Sequence, residues 1–278
     1  MQISTRIKTI LATIVTSLVY VAFEFGIFRL DFQGITELGR RVGVSLIIAV
    51  VLYFSIMWVV SFRLNFIRIL IIPLFPALFM FLFSLFVGLT FYQGIFGVTA
   101  ITLSFITTII IVLLTYGLVL NVNILNVASF NDTLPLARAA KTAQYIFSLI
   151  CNYLFFTIIY NVNISNVLRT ILTLLFMFYL SFQLLWVMSL SSRINIRLTL
   201  PIGLVLFVIT LAFNLWPISS EFIALLLTTC FYVIFGVALE SSPKFSREVI
   251  FEYSIITFLV LFFCFLVTDW GINGRMIG

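Results

Sequence analysis

Residues 69–131 form the longest segment of the chain without a charged side chain, and this segment constrains the fold more than any other feature. It lies between Arg68 and Asp132 and contains 63 residues. A helix needs about 20 apolar residues to cross the hydrocarbon core of a bilayer, so one crossing cannot account for the segment. Gly94 and Gly97 lie near its middle and mark a turn. The segment therefore predicts two membrane-spanning helices joined by a neutral turn.

The composition of the whole chain indicates the same environment. Hydrophobic residues make up 63% of the 278 residues and charged residues 9%, whereas soluble domains carry about 25% charged residues. So few charges cannot cover the surface of a soluble protein of this size. We therefore predict an all-α fold, a polytopic integral membrane helix bundle with short loops, in which residues 1–278 form a single transmembrane domain.

Apolar runs along the chain predict about nine transmembrane helices. The first run follows Arg6 and Lys8, as in a signal peptide, but no small-residue cleavage site follows it, so we interpret it as a retained helix. The predicted helices span residues 7–28, 42–62, 69–91, 98–120, 136–160, 170–192, 200–216, 220–239 and 249–268. The seventh and eighth are short, and a re-entrant hairpin is the alternative there.

The basic residues between the helices predict an orientation. Ten of the fifteen lysines and arginines fall on the side of the N-terminus and five on the opposite side. Short cytoplasmic loops are enriched in basic residues. With nine helices, the N-terminus is expected in the cytoplasm and the C-terminus outside, in a membrane that we predict to be a prokaryotic cytoplasmic membrane.

The residue types present argue against several functions. Histidine is absent, and Cys151, Cys230 and Cys264 all lie inside apolar runs without the spacing of metal ligands. We therefore expect no metal, no cofactor and no disulfide. The net charge of +6 comes from scattered side chains, whereas a nucleic-acid surface needs a cluster. The expected partners are the lipid bilayer and another membrane protein, and no nucleic acid.

Glu24 is the first candidate for a functional side chain. It lies near the end of the first predicted helix, and an acidic residue within the membrane is a functional hypothesis by default. Such a carboxylate could bind a cation or a proton. The alternative is that Glu24 reaches the interface and pairs with Arg29. Asn152 and Asn214 complete a candidate intramembrane polar site, because they are the two asparagines that fall within predicted helices.

The first predicted external loop contains two further candidates, Asp31 and Glu37. Arginines flank these acids in the sequence, and arginine binds phosphate well. An acidic residue there could act as a base in sugar transfer from a lipid-linked donor. In position the loop resembles that of multi-helix membrane glycosyltransferases, although this chain lacks a large external domain. The alternative is an ordinary solvated loop.

A short sequence recurs within the chain. Asn-Val-Asn-Ile-Leu-Asn-Val at residues 121–127 returns as Asn-Val-Asn-Ile-Ser-Asn-Val at residues 161–167. Each copy follows a predicted helix, and asparagine commonly ends helices. Structural repeats are typical of transporters, but one helix per period is too little for a fold repeat. We interpret the copies as helix ends. Pro135 is expected in the first turn of the fifth helix, and Ser219 or Ser220 is expected to cap the eighth.

No motif in the chain identifies a function. Charged groups are scarce within the helices, which argues against ion coupling, and short loops leave little room for catalysis. We therefore favour a non-enzymatic membrane scaffold, subunit or lipid-interacting protein. A small transporter is one alternative, and a membrane glycosyltransferase-like enzyme is a second.

Overall fold

The architecture is entirely helical in the part of the chain that the structure describes, which confirms the predicted fold class. A computed structural model describes residues 5–24, 36–60, 72–90, 98–128, 135–189, 192–213, 216, 218–239 and 247–268. Six of the helices in these ranges are long and apolar enough to cross a membrane. The chain thus fits a helical membrane bundle.

Nine helices lie within the described ranges, one for each predicted helix. They are α1 (Thr5–Glu24), α2 (Glu37–Val59), α3 (Leu74–Thr90), α4 (Val98–Ala128), α5 (Pro135–Asn161), α6 (Asn166–Ser189), α7 (Ser192–Phe213), α8 (Ser220–Leu239) and α9 (Arg247–Val267). The helices α1, α2, α4, α5, α6 and α8 have the length and hydropathy of membrane spans, whereas the apolar segments in α3, α7 and α9 are shorter.

Two helix starts agree with the local sequence signals and one does not. Pro135 is the first residue of α5, and Ser219 immediately precedes α8. In contrast, α7 begins at Ser192 and not at residue 200, and it continues through Pro201. Hydropathy marks only the apolar part of a helix, so polar first turns such as this one escape it.

The interpretation of both repeats as helix ends is wrong for the first copy. Residues 121–127 lie inside α4, which continues to Ala128, whereas residues 162–165 separate α5 from α6. The copies differ at Leu125 and Ser165. Leu125 is buried, so helix continuation keeps an apolar side chain packed. Ser165 instead accepts a hydrogen bond from the backbone nitrogen of Leu168 at 3.4 Å, as a residue that begins a helix does.

The helices form two compact units, Met1–Gln144 and Tyr145–Gly278, which we call the N-terminal and C-terminal units. The predicted single transmembrane domain remains a prediction. The helix α5 crosses the boundary, with its first residues in one unit and the remainder in the other.

The helix α1 packs with its polar side inward. Its buried residues are Thr9, Ala12, Thr13, Thr16, Ser17 and Tyr20. Its exposed side carries large aliphatic residues, and Leu18 is 61% exposed. A helix on the surface of a water-soluble protein has the opposite arrangement. Small residues at helix contacts and apolar residues on the outside are characteristic of a lipid environment.

Polar and charged side chains join neighbouring helices of the N-terminal unit. The Ser45 hydroxyl of α2 donates to the Ser84 hydroxyl of α3 at 3.2 Å. Lys8, near the start of α1, lies 5.6 Å from the ring centre of Trp58 near the end of α2. Up-and-down neighbours place such residues at the same end of the unit.

The C-terminal unit contains two helix contacts in which an aromatic ring packs directly against a glycine. A methyl group at Gly203 of α7 would lie 2.9 Å from the Phe178 ring of α6, and one at Gly236 of α8 would overlap the Tyr253 ring of α9. At a third contact, the Trp216 indole donates to the Thr268 hydroxyl at 2.9 Å. Aromatic side chains thus fill the space that glycine leaves between neighbouring helices.

Candidate functional site

Glu24 is the last residue of α1 and is half-buried. It takes part in at least one polar or electrostatic interaction with neighbouring groups. Arg29, the partner expected for an interfacial pair, lies outside the described residues, as does Asp31. Both interpretations of Glu24 therefore stay predictions.

Glu37 has a structural role at the start of α2. Thr36 caps the helix, since its hydroxyl accepts a hydrogen bond from the Gly39 nitrogen at 3.2 Å. The Glu37 carboxylate lies in the first turn and pairs with the Arg41 guanidinium at 2.7 Å. An acidic residue in a first turn also interacts favourably with the helix dipole. Whether Glu37 and Asp31 converge on a site remains a prediction.

Asn152 lies in the interior of the C-terminal unit with no exposed surface. Its Nδ2 atom donates to the Thr228 hydroxyl of α8 over a long distance of 3.4 Å. Its Oδ1 atom is buried and has no hydrogen-bond partner among the described residues. Asn214, its predicted companion, lies outside the described residues. Glu24 belongs to the other unit, so the proposed grouping of the three residues remains a prediction.

The contact between α5 and α6 brings a further polar group, Tyr179, to the depth of Asn152. The Phe155 and Phe176 rings stack with their centres 3.8 Å apart. The turn between these helices is short, so they run antiparallel. Moving three residues back from Phe155 along α5 and three residues forward from Phe176 along α6 covers the same distance along the two helices, about 4.5 Å. Asn152 and Tyr179 therefore lie at one level.

Tyr179 and Gln183 are one turn apart on the same side of α6. Cys151, which precedes Asn152 on α5, is fully buried as well. The Tyr179 hydroxyl and the Gln183 Oε1 atom are both buried without a hydrogen-bond partner in the described part of the chain. We call Asn152, Tyr179 and Gln183 the Asn152 row.

Sequence reasoning identified part of this row. Asn152 is one of the candidates from the sequence, and Gln183 is likewise a polar residue within an apolar run. Tyr179 is indistinguishable from the aromatic residues around it, because tyrosine is common in packed membrane helices. The spacing of four residues between Tyr179 and Gln183 is a signal that could have linked them.

The N-terminal unit contains a buried pair of the same residue types whose hydrogen bond is made. The Asn121 Nδ2 atom of α4 donates to the Gln144 Oε1 atom of α5 at 2.7 Å. Both side chains are buried, with 5% and 2% of their surface exposed. Interhelical hydrogen bonds of this kind stabilise membrane helix pairs. This pair supplies an internal comparison for the Asn152 row.

A groove between α8 and α9 is the second candidate site. Its volume is about 450 Å³, and its lining residues are Val233, Val237, Tyr253, Ser254, Thr257, Phe258 and Leu261. Three of these side chains carry hydroxyl groups and four are apolar. The hydroxyl groups all belong to the first half of α9. The groove therefore has a more polar end close to the connection between the two helices.

The comparisons with known proteins give a family match and nothing more specific. Residues 63–267 match a family described as protein of unknown function, DUF5656. The matched range contains all of α3 to α9. No curated protein and no solved structure matches the chain.

The two buried amide sites predict different responses to leucine. We expect Asn121→Leu to lower the free energy of unfolding by about 1–2 kcal/mol, because it removes the hydrogen bond to Gln144. We expect Asn152→Leu to cost less than about 1 kcal/mol, because its protein hydrogen bond is long and its Oδ1 atom has none. Unfolding titrations in detergent micelles measure both. The double variant Asn121→Leu with Gln144→Leu is the control and should recover part of the loss.

A cost above about 2 kcal/mol for Asn152→Leu exceeds the usual interhelical hydrogen bond. That result would contradict the prediction and indicate a stronger polar network around Asn152.

Glu24 can be tested by its reactivity with a hydrophobic carbodiimide, which modifies carboxyl groups held in apolar surroundings. We expect Glu24 to react no more than Glu37, which is exposed at the start of α2, because a carboxylate that reaches the interface is not held in hydrocarbon. Glu24→Gln should leave the amount of folded protein unchanged. Selective labelling of Glu24, lost in that variant, would instead support a coupling site.

Proposed function

The chain belongs to the DUF5656 family, and we propose that it is a multi-pass membrane protein that binds phospholipid and catalyses no reaction. In this proposal all nine helices cross a prokaryotic cytoplasmic membrane, with the N-terminus in the cytoplasm and the C-terminus outside. The lipid lies in the groove between α8 and α9.

The multi-pass arrangement is supported by the surface of the helices. Large apolar side chains are exposed in both units, for example Phe105 at 64% and Phe258 at 65%. Water-soluble proteins rarely expose apolar patches of this extent. The alternation of basic residues between the two sides supports the same arrangement.

The groove between α8 and α9 is the observation that carries the lipid-binding proposal. Val233, Val237 and Leu261 provide an apolar wall against which an acyl chain can lie. The exposed Phe258 continues this wall to the outside, so a chain can enter from the bilayer without crossing polar surface. The hydroxyl-bearing side chains make one end of the groove more polar than the rest, as a phospholipid is more polar near its headgroup.

The charges near the groove favour an anionic lipid. The sequence places Lys244 between α8 and α9, and Arg247 is the first residue of α9. Each basic residue near a membrane surface contributes about 1 kcal/mol to the attraction of anionic lipid. Two such residues together correspond to a preference of roughly thirty-fold over a zwitterionic lipid.

A small transporter is the second candidate function. The observation that favours it is the Asn152 row, since buried polar groups within a membrane bundle often line a pathway. The predicted enzyme has less support, because the Glu37 carboxylate already pairs with Arg41 at 2.7 Å.

The proposed topology predicts where fused reporters lie. A reporter placed after Gly278 should be external, and one inserted within residues 240–248 should be cytoplasmic, because α9 crosses the membrane between them. Paired phosphatase and fluorescent-protein fusions measure both positions. Location of the two reporters on one side would remove α9 from the set of spanning helices.

The groove predicts selective retention of anionic phospholipid. In native mass spectrometry of the purified chain, we expect phosphatidylglycerol to be retained over phosphatidylcholine by roughly thirty-fold. Val237→Trp should abolish this retention, because the indole fills the groove. Leu225→Trp is the matched control, since Leu225 lies on the same helix, does not line the groove and is similarly exposed, at 37% against 38%. Equal loss in both variants would contradict the groove as the site.

A further inference from the structure

The Asn152 row contains three oxygen atoms whose hydrogen bonds are not made by the described protein. They are Asn152 Oδ1, the Tyr179 hydroxyl and Gln183 Oε1. The side chains of Asn152 and Gln183 have 0% and 1% of their surface exposed. Burial of a polar group without a partner costs about 1–3 kcal/mol. Three such atoms at one helix contact therefore call for a bound group.

The chemistry of the row defines what that group can be. Two of the three atoms are amide oxygens, which only accept hydrogen bonds, and the third is a hydroxyl. The segments 142–161 of α5, 170–189 of α6 and 222–239 of α8 contain no charged residue. An ion without a paired charge is strongly disfavoured in such surroundings. The ligand must therefore be neutral and must donate hydrogen bonds.

The geometry of the row limits its size. Tyr179 and Gln183 are four residues apart on α6, which corresponds to about 6 Å along the helix. Asn152 lies at the level of Tyr179, and its Nδ2 atom is directed to Thr228 of α8. The Oδ1 atom remains to accept a bond from another molecule. A few waters or a three-carbon polyol can span this distance.

We infer that the Asn152 row binds a small neutral molecule whose hydroxyl groups donate hydrogen bonds, either water or a polyol of the size of glycerol. The site is separate from the lipid groove, whose lining residues are Val233 and Val237 of α8 and five residues of α9. Water that joins two or more buried polar groups is a regular part of folded proteins. The Asn121–Gln144 pair needs no such molecule for its 2.7 Å hydrogen bond.

Glutamine labelling offers a direct test in the full chain. The sequence contains only five glutamines, so a lipid-nanodisc sample with ¹⁵N in the glutamine side chains gives a simple solid-state NMR spectrum. The variants Gln183→Met and Gln144→Met assign the two buried signals by their loss. Magnetisation transfer from water is then recorded with and without ¹³C-glycerol. Gln144 is the matched control, since it is the same residue type with similar burial.

The result expected for bound water is a several-fold faster transfer to Gln183 than to Gln144, unchanged by glycerol. The result expected for a bound polyol is a saturable shift of the Gln183 signal with glycerol and a ¹³C contact to it, with no change at Gln144. In either case Asn152→Leu should reduce the effect at Gln183. Equally slow water transfer to both glutamines, without a glycerol shift, would overturn the proposal. Should Gln183→Met not fold, single variants of the other four glutamines assign the Gln183 signal as the one that none of them removes.

Discussion

A polar group within hydrocarbon must find its hydrogen-bond partner inside the protein, and the rest of this structure depends on that constraint. Backbone groups satisfy it by forming helices. Threonine satisfies it locally: the hydroxyl groups of Thr16, Thr210 and Thr229 each donate to the carbonyl oxygen four residues earlier, at 2.9 Å. This local bond allows threonine to lie at helix contacts without a partner on the neighbouring helix.

Amide side chains cannot be satisfied in this local way, because they carry two donors and an acceptor. They consequently couple helices to one another or to bound molecules. Asn121 and Gln144 form a direct hydrogen bond with each other at 2.7 Å. Asn152 and Gln183 are as deeply buried, but they lie on helices whose contact is filled by stacked phenylalanine rings. Asparagine and glutamine thus join two helices directly in the N-terminal unit. In the C-terminal unit, the side-chain oxygens of Asn152 and Gln183 have no partner in the described protein.

The repeated heptapeptide shows how packing selects between two conformations of nearly one sequence. Asparagine-rich segments tolerate both a helix and a turn, so local preference is weak. In the first copy, burial of Val122 and Leu125 continues α4. In the second, Asn161 accepts a hydrogen bond from the Ser220 hydroxyl at 2.8 Å and α5 ends there. A residue far along the chain therefore contacts the helix end, which reading the motif alone could not anticipate.

The sequence by itself determined the solvent and the helices. Sparse charge requires lipid contact, and the nine apolar runs correspond to nine helices in the described ranges, because hydropathy and helix formation are properties of contiguous residues. The tertiary structure alone decided which face of each helix is buried and which polar groups meet. The inward threonines of α1, the glycine contacts under Phe178 and Tyr253, and the alignment of Asn152 with Tyr179 all join residues distant in sequence. Such pairs are selected by the packing of helix surfaces, and no local pattern specifies them.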